Sequence, residues 1–574
     1  MGIKENGRRR DFLQSLVAGA AALAMNATIR SAHAASVGRL PAILAGEQAI
    51  ELPPEHQEAV KRRRCRIVVQ YDCQTEYGLD FDTWIAYRFA YADEPGTQID
   101  ALWWDMGRLG NVLYPSKFLN QLENPGLRKW RDQGIDLVGR LVEETKKRKL
   151  EVFWHHRVSE VDSNSDGTGA APKSMADPLK RAHPDWVLKT WWPQGLWNFA
   201  LPEVRQMTID SLREVVQRYD FDGVQIDFAR HVPCLPPGRQ WELRHHVTEL
   251  MRMARLMLLE AARKRGRPIL LAAKVPRNLE GCRIDGFDVE SWARQDLVDI
   301  LTLGSRSMDV DLAAFRRLTA DRKIQLQPCF DDHHTTDGYR YPSLELFRGV
   351  FGNWWQQGAD AVVTFNWSNA PPELCPKVGA EPGPLSQRQA YHEVGSLTTL
   401  QHKDKIFAVE RRGGYPWSEG FFNRNDTAPL PAWLAEDGRP TTLTLHIGDD
   451  LAAQADQVRE VRLRCILFGA GDEQQLGARF NGSALRLAER DPAWKDPQIF
   501  SPAPQRISGG PGNFPVNPSQ RLLRLEYVID PRVCMVGRNR VELRLAGGRL
   551  GPPQGKVALE KLEVHLHYRR GDFA

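Results

Sequence analysis

Asp227 closes the run Tyr219-Asp-Phe-Asp-Gly-Val-Gln-Ile-Asp227, and Asp331 closes a second apolar stretch, Ile324–Asp331. In a parallel α/β architecture the C-terminal tip of a strand is where chemistry sits. Two carboxyl groups around one sugar can break a glycosidic bond: one protonates the leaving oxygen, the other attacks or activates water, and their separation sets the stereochemistry. Asp227 as nucleophile or base and Asp331 as acid form the first-choice pair, with Asp105, Asp332 and Glu280 in reserve for the acid. Arg157 and Lys274 would keep the nucleophile ionised, whereas the acid needs a pKa raised by burial or by a like charge.

Such groups have to be delivered by a scaffold. From about residue 65 to 400, short apolar runs alternate with helical segments, as βα units require. The strand candidates are Arg66–Asp72, Ala101–Asp105, Leu150–Arg157, Gly223–Asp227, Ile269–Lys274, Val298–Leu303, Ile324–Asp331 and Ala361–Trp367. Amphipathic helices fit at Gly134–Lys149, Pro202–Tyr219, Trp241–Lys264 and Leu344–Gln357, with Pro202 in a first turn and Ser343 as an N-cap. Eight units predict a (β/α)8 barrel. Beyond residue 400 alternating strands replace the helical period, at Thr441–His446, Val461–Phe468, Leu522–Ile529, Arg540–Leu545 and Val557–Tyr568, with a hairpin turn at Asn481-Gly482. That pattern predicts an antiparallel β-sandwich over residues 401–574, following a barrel over 65–400 and a lead-in over 35–64.

Strand alternation then sorts side chains, because one parity faces the helices and the other the barrel interior. Val224 and Ile226 face out, which turns Gln225 and Asp227 in. Ile324, Leu326 and Pro328 face out, leaving Gln325, Gln327, Cys329 and Asp331 inside; Leu150, Val152 and Trp154 face out, leaving Phe153, His155 and Arg157. The same sorting places Gln70, Asp72, Trp103, Asp105, Lys274, Thr302, Thr364 and Asn366 on the inner face. Asp72, Trp103, His155, Arg157, Gln225, Arg230, His231, Lys274, Asn366 and Trp367 are the expected substrate contacts, with Trp side chains as platforms for a sugar ring. The competing reading of the same residues is a buried salt-bridge network in which Arg157 and Lys274 only neutralise the aspartates.

Composition narrows the partners. Of 17 Trp, 14 precede residue 401, so the aromatic surface belongs to the barrel region. Arg8-Arg9-Arg10-Asp11-Phe12-Leu13, an apolar run from Leu16 to Met25, and Ala32-His33-Ala34 read as a twin-arginine export signal over 1–34, cleaved after Ala34, with a periplasmic or secreted product. The run is too short to span a bilayer, so no stable membrane anchor is expected. Most of the formal net charge of +5 lies in that segment, in Lys4, Arg8, Arg9, Arg10 and Arg30 against Glu5 and Asp11. No basic stripe with interleaved aromatics remains for nucleic acid. The eight Cys are scattered without metal or haem spacings, and no cofactor loop is present. Asp331-Asp332-His333-His334 offers potential metal ligands, but adjacent strand residues diverge, so neither metal nor other cofactor is expected.

Three segments carry a family resemblance: Gly134–Arg157 with its Lys-Leu-Glu-Val-Phe-Trp-His run, Asn198-Phe-Ala-Leu-Pro-Glu-Val-Arg205, and Tyr219–Asp227. They resemble the glycosyl hydrolase-like family 10 proteins and related bacterial barrels. The resemblance implies a TIM-barrel glycosidase superfamily with Asp227 as the matching acidic residue. The Phe-Asp-Gly-Val-Gln-Ile-Asp run is also similar to the fourth-strand motif of family 18 chitinases, but Ala229 stands where they carry the catalytic Glu, which argues against their mechanism. The expectation is an exported hydrolase of a poly- or oligosaccharide, with Arg157, Arg230, His231, Lys274 and Arg306 favouring an acidic one. A non-catalytic glycan-binding protein and a metal-dependent polysaccharide deacetylase are the alternatives.

Overall fold

The computed structural model describes residues 48–569 apart from 73–77, 109–110, 123, 159–176, 191–193, 305–306, 332–337, 340, 368–372, 374, 379–382, 412–427, 473, 497–498, 500–518 and 546–556. The expected signal at 1–34 lies outside these residues.

Eight parallel strands close a barrel: β1 (Ile67–Asp72), β2 (Ile99–Arg108), β3 (Glu151–Arg157), β4 (Gly223–Asp227), β5 (Leu270–Val275), β6 (Ile300–Leu303), β7 (Gln325–Phe330) and β8 (Val362–Phe365). Each pairs in parallel with its sequence neighbour, and β8 pairs with β1 to complete the ring. The (β/α)8 expectation is met, with strand ends displaced by a residue or a few. α1 (Pro54–Arg62) sets Val60 against the interior cluster at the barrel floor, and further helices pack outside the strands, among them α2 (Phe81–Asp93), α3 (Leu137–Lys147), α4 (Pro202–Arg218), α5 (Arg244–Arg265), α6 (Leu312–Leu318) and α7 (Leu344–Gln356). Pro202 begins α4, where its missing N–H leaves no bond unmade. Asp136 caps α3 and Ser343 caps α7 by accepting from the amides of Gly139 and Leu346.

The parity rule holds on seven strands. Val152, Trp154, Val224, Ile226, Leu271, Ala273, Leu301 and Leu326 join the helix-side core. Val68, Ala101, Trp103, Phe153, Leu270, Ala272, Ile300 and Cys329 fill the interior. Gly223 has no room for a side chain: an added Cβ would meet Phe153 Cζ at 2.3 Å and Leu270 O at 2.7 Å. The exception is β8. Val363 and Phe365 face the interior, while the Thr364 hydroxyl meets Tyr391 Oη at 3.4 Å on the helix side. Asn366 lies past the strand end with φ of +58°, its amide donating to Gln70 O. Polarity misassigned this strand because the lower interior layers are apolar and the helix side supplies a partner for Thr364.

Residues 405–568 form two antiparallel sheets, as expected of a sandwich. Their strands are β9 (Lys405–Ala408), β10 (Thr441–Ile447), β11 (Val458–Phe468), β12 (Leu476–Phe480), β13 (Arg486–Trp494), β14 (Leu522–Val528), β15 (Gly537–Leu545) and β16 (Ala558–Tyr568). One sheet runs β9-β16-β11-β14-β13, the other β10-β15-β12 with a short strand at Ser483–Ala484. Asn481 and Gly482, both at positive φ, make the two-residue turn before it. β9, β12 and β13 were not legible in advance; β13 is an exposed, charged edge and lacks the apolar alternation that marks a strand. The barrel and sandwich backbones touch where α7 meets β9, since a Cβ on Gly349 would lie 2.0 Å from Ile406 O. Among the described residues no helix is long and apolar enough to cross a membrane.

Candidate active site at the barrel mouth

β4 delivers Asp227 to the C-terminal end of the barrel, in register with Arg157 of β3 and Lys274 of β5. His155 Nε2 lies 2.9 Å from Asp227 Oδ2, Lys274 Nζ lies 3.8 Å from the same oxygen, and Ala229 N donates to Oδ1 at 2.9 Å. Burial alone would raise the Asp227 pKa. Lys274, His155 and Arg157 outweigh it and hold the carboxyl below the usual carboxylate range. Burial also lowers the His155 pKa, assisted by Lys274 and Arg157 and opposed by Asp227. His155 is therefore neutral near pH 7, and its Nε2–H donates to the aspartate.

Two further carboxylates sit at the same end. Asp105 pairs with Arg157 at 2.8 Å, and Asp331 lies 3.8 Å from Arg230 Nη1. None of Asp105, Asp227 and Asp331 is more than 2% exposed. The cations of all three pairs surround one ring: Lys274 Nζ is 4.5 Å, Arg230 Cζ 5.3 Å and Arg157 Cζ 5.5 Å from the Phe365 centroid. His155 meets that ring edge-on at 6.2 Å. A quadrupolar face favours cations, so Phe365 organises the three ion pairs. It was missed in the sequence because strand parity was misread there.

Beneath the mouth a polar column runs down the barrel. Lys274 Nζ donates to Gln70 Oε1 at 3.0 Å, Gln70 donates to Gln225, and Gln225 and Gln327 both donate to Thr302 Oγ1. Arg63 closes the lower end on Glu151, Gln325 and Gln327. Each buried amide thus has a partner, as a low-dielectric interior demands.

The remaining expected site residues divide. Gln225 belongs to the column, and Arg230 and His231 lie just past β4, His231 buried. Trp103 is corrected: it stacks on Phe153 at 4.2 Å, and its Nε1–H donates to Glu151 near the barrel floor. Trp367 is corrected as well, being packed against Phe347, Phe351 and Tyr391 in the helix-side core. Neither offers a face to a sugar at the mouth. Glu280 is exposed on the short helix Leu279–Asp285, outside the three pairs. Asp72 ends β1, its side chain beyond what is described, and Asp332, His333, His334 and Arg306 lie outside the described residues.

Residues 90–235 match the glycosyl hydrolase-like 10 family. The resemblance read from Gly134–Asp227 is borne out. The matched segment holds Asp105, His155, Arg157, Asp227 and Arg230; Lys274 and Asp331 lie beyond it. Glycosyl hydrolase YngK of Bacillus subtilis (strain 168) is 33% identical over 98 residues, which are 17% of this chain and 18% of that protein. The chain thus spans about a fifth of the length of that relative. Among solved structures, α-L-fucosidase isoenzyme 2 from Paenibacillus thiaminolyticus is 14% identical with a TM-score of 0.36, covering 58% of this chain and 48% of the other. A β-L-arabinopyranosidase from Geobacillus stearothermophilus is 9% identical with a TM-score of 0.36, covering 87% and 100%.

Proposed function

We propose that the protein hydrolyses glycosidic bonds of a poly- or oligosaccharide at the barrel mouth, with Asp227 as nucleophile and Asp331 as proton donor. The observation that carries this reading is the environment of Asp227: a carboxylate at a strand tip, kept ionised by Lys274 and oriented by His155 and the Ala229 amide. A carboxylate so stabilised is a weak base but can attack or electrostatically support an oxocarbenium-like centre. His155, neutral and donating, fixes which oxygen lone pairs face the substrate. In this reading Asp331, 3.8 Å from Arg230 Nη1 at the same end of the barrel, protonates the leaving oxygen. The match to a hydrolase-like family over residues 90–235 supports the assignment. We read residues 1–34 as an export signal that delivers the enzyme to the periplasm or beyond, which N-terminal sequencing of the secreted protein tests.

A non-catalytic glycan-binding protein is the second reading, favoured by one observation: each mouth carboxylate already has a cation. A product screen of the wild-type protein on neutral and acidic polysaccharides separates the two. Released oligosaccharides support hydrolysis; binding of a glycan without any product supports the rival.

A further inference from the structure

Lys274 reaches past its register partner Asp227 and across the barrel. β5 and β1 stand opposite each other in the ring of strands, and the ammonium meets Gln70 Oε1 at 3.0 Å while lying 3.8 Å from Asp227 Oδ2. Phe365, the register partner of Gln70 on β8, presents its ring to the same ammonium at 4.5 Å. Gln70 is fully buried, and the polar column fixes the sense of its amide. Its Nε2 donates to Gln225 Oε1, and Gln225 Nε2 donates to Thr302 Oγ1. The same hydroxyl accepts from Gln327, whose Oε1 faces Arg63 Nη2 at 3.4 Å. A reversed Gln70 amide would turn its NH2 on the ammonium and its oxygen on Gln225 Oε1. With a cation at each end, the column presents a carbonyl oxygen at both, so Gln70 is a fixed acceptor for Lys274.

The 3.8 Å gap between ammonium and carboxylate has a chemical consequence. A carboxylate offers about four acceptor sites. His155 Nε2 takes one at Oδ2 and Ala229 N takes one at Oδ1, both at 2.9 Å, so a direct hydrogen bond from Lys274 would fill the second site at Oδ2. Coulomb attraction falls only as the inverse of distance, so at 3.8 Å the ammonium keeps about three-quarters of the attraction it would have at ~2.8 Å. A hydrogen bond does not survive that separation. We propose that Gln70 is a positioning residue that holds the Lys274 ammonium off Asp227, so that the carboxylate keeps both the field of the cation and an open lone pair on Oδ2. This role rests on Asp227 being the nucleophile; the gap itself does not. Of the other groups at this end, His155 and Arg157 of β3 face Asp227, and the Cys329 thiol of β7 faces Lys274. Burial pushes that thiol up to about 11, and a thiol is too weak an acceptor to replace Gln70. Asp105 and Asp331 face Arg157 and Arg230.

Gln70→Met keeps the length of the side chain and removes its strong acceptor. We expect a crystal structure of this variant to show Lys274 Nζ within about 3.2 Å of Asp227 Oδ2. Its kcat should fall about tenfold or more with KM nearly unchanged. An ammonium left at the wild-type 3.8 Å overturns this role, as does one moved onto Oδ2 with kcat intact. Gln70→Glu keeps the shape and the acceptor but shares the ammonium with a second carboxylate, so the acidic limb of kcat/KM should rise by about one pH unit or more. A merely structural Gln70 would lower activity at every pH and leave the limb in place, so an unmoved limb overturns the role even if Gln70→Met does not fold. A wild type that releases no product from any glycan sinks the nucleophile instead. The position of the ammonium in the two variants, on Oδ2 in one and on the introduced carboxylate in the other, then still decides whether Gln70 sets the gap.

Discussion

Lys274 and Asp227 are register partners on adjacent strands, and the ammonium lies 3.8 Å from Oδ2 while it donates to Gln70 and faces the Phe365 ring. One buried cation therefore ties the proposed nucleophile to the polar column below it. Removing one member of a buried pair strands the other's charge, at a cost of about 3–5 kcal/mol. Lys274→Met should lower unfolding free energy by that order in urea titrations, and adding Asp227→Asn should recover part of the loss. A single variant as stable as wild type would contradict the coupling.

Asp227→Asn and Asp331→Asn should each reduce product formation by about a thousandfold or more if they act as nucleophile and acid. Their pH–rate profiles should differ. Asp227 is held ionised by Lys274, His155 and Arg157 against the effect of burial, so the acidic limb of wild-type kcat/KM should lie below the usual carboxylate range. Asp331→Asn should abolish the basic limb; its survival would move the acid to Asp105, Asp332 or Glu280.

His156 faces the helices, accepting from Trp154 Nε1 at 3.4 Å, and burial pushes its pKa down to about 3. Its folded pKa lies below the unfolded value of about 6.5, so its contribution is present above pH 6.5 and lost as pH falls toward 3. His155 shifts in the same direction. Thermal unfolding from pH 7 to 4 should show a smaller loss of Tm in His156→Asn than in wild type. Equal losses would mean that His156 does not drive the acid limb.

Phe365→Leu keeps an apolar side chain inside the barrel but removes the aromatic face shared by Lys274, Arg157 and Arg230. We expect a stability loss of about 1–3 kcal/mol, from lost volume and cation–π attraction, measured by denaturant unfolding. The same substitution should lower kcat more than it raises KM, because it disturbs the carboxylates' partners rather than a substrate contact. An unchanged kcat would reduce Phe365 to packing.

Much of the barrel was legible because its physics is local. Period-two alternation in Gly223–Asp227 and Glu151–Arg157 determined that Gln225, Asp227, His155 and Arg157 face inward, since the apolar parity has to meet the helices. Local chemistry also announced the Pro202 helix start, the Ser343 cap and the Asn481-Gly482 turn. What remained hidden depends on partners distant in sequence. Thr364 is tolerated on the helix side because Tyr391 meets it, and Trp103 drops to the floor because Phe153 and Glu151 receive it. The pairing of Arg157 with Asp105, Lys274 with Asp227 and Arg230 with Asp331 joins residues from five separate strand ends. By itself the sequence determined that Asp105, Asp227 and Asp331 take the inward parity of their strands; only the closure of the barrel decided which cation each one meets, because electrostatic partnership acts through space and not along the chain.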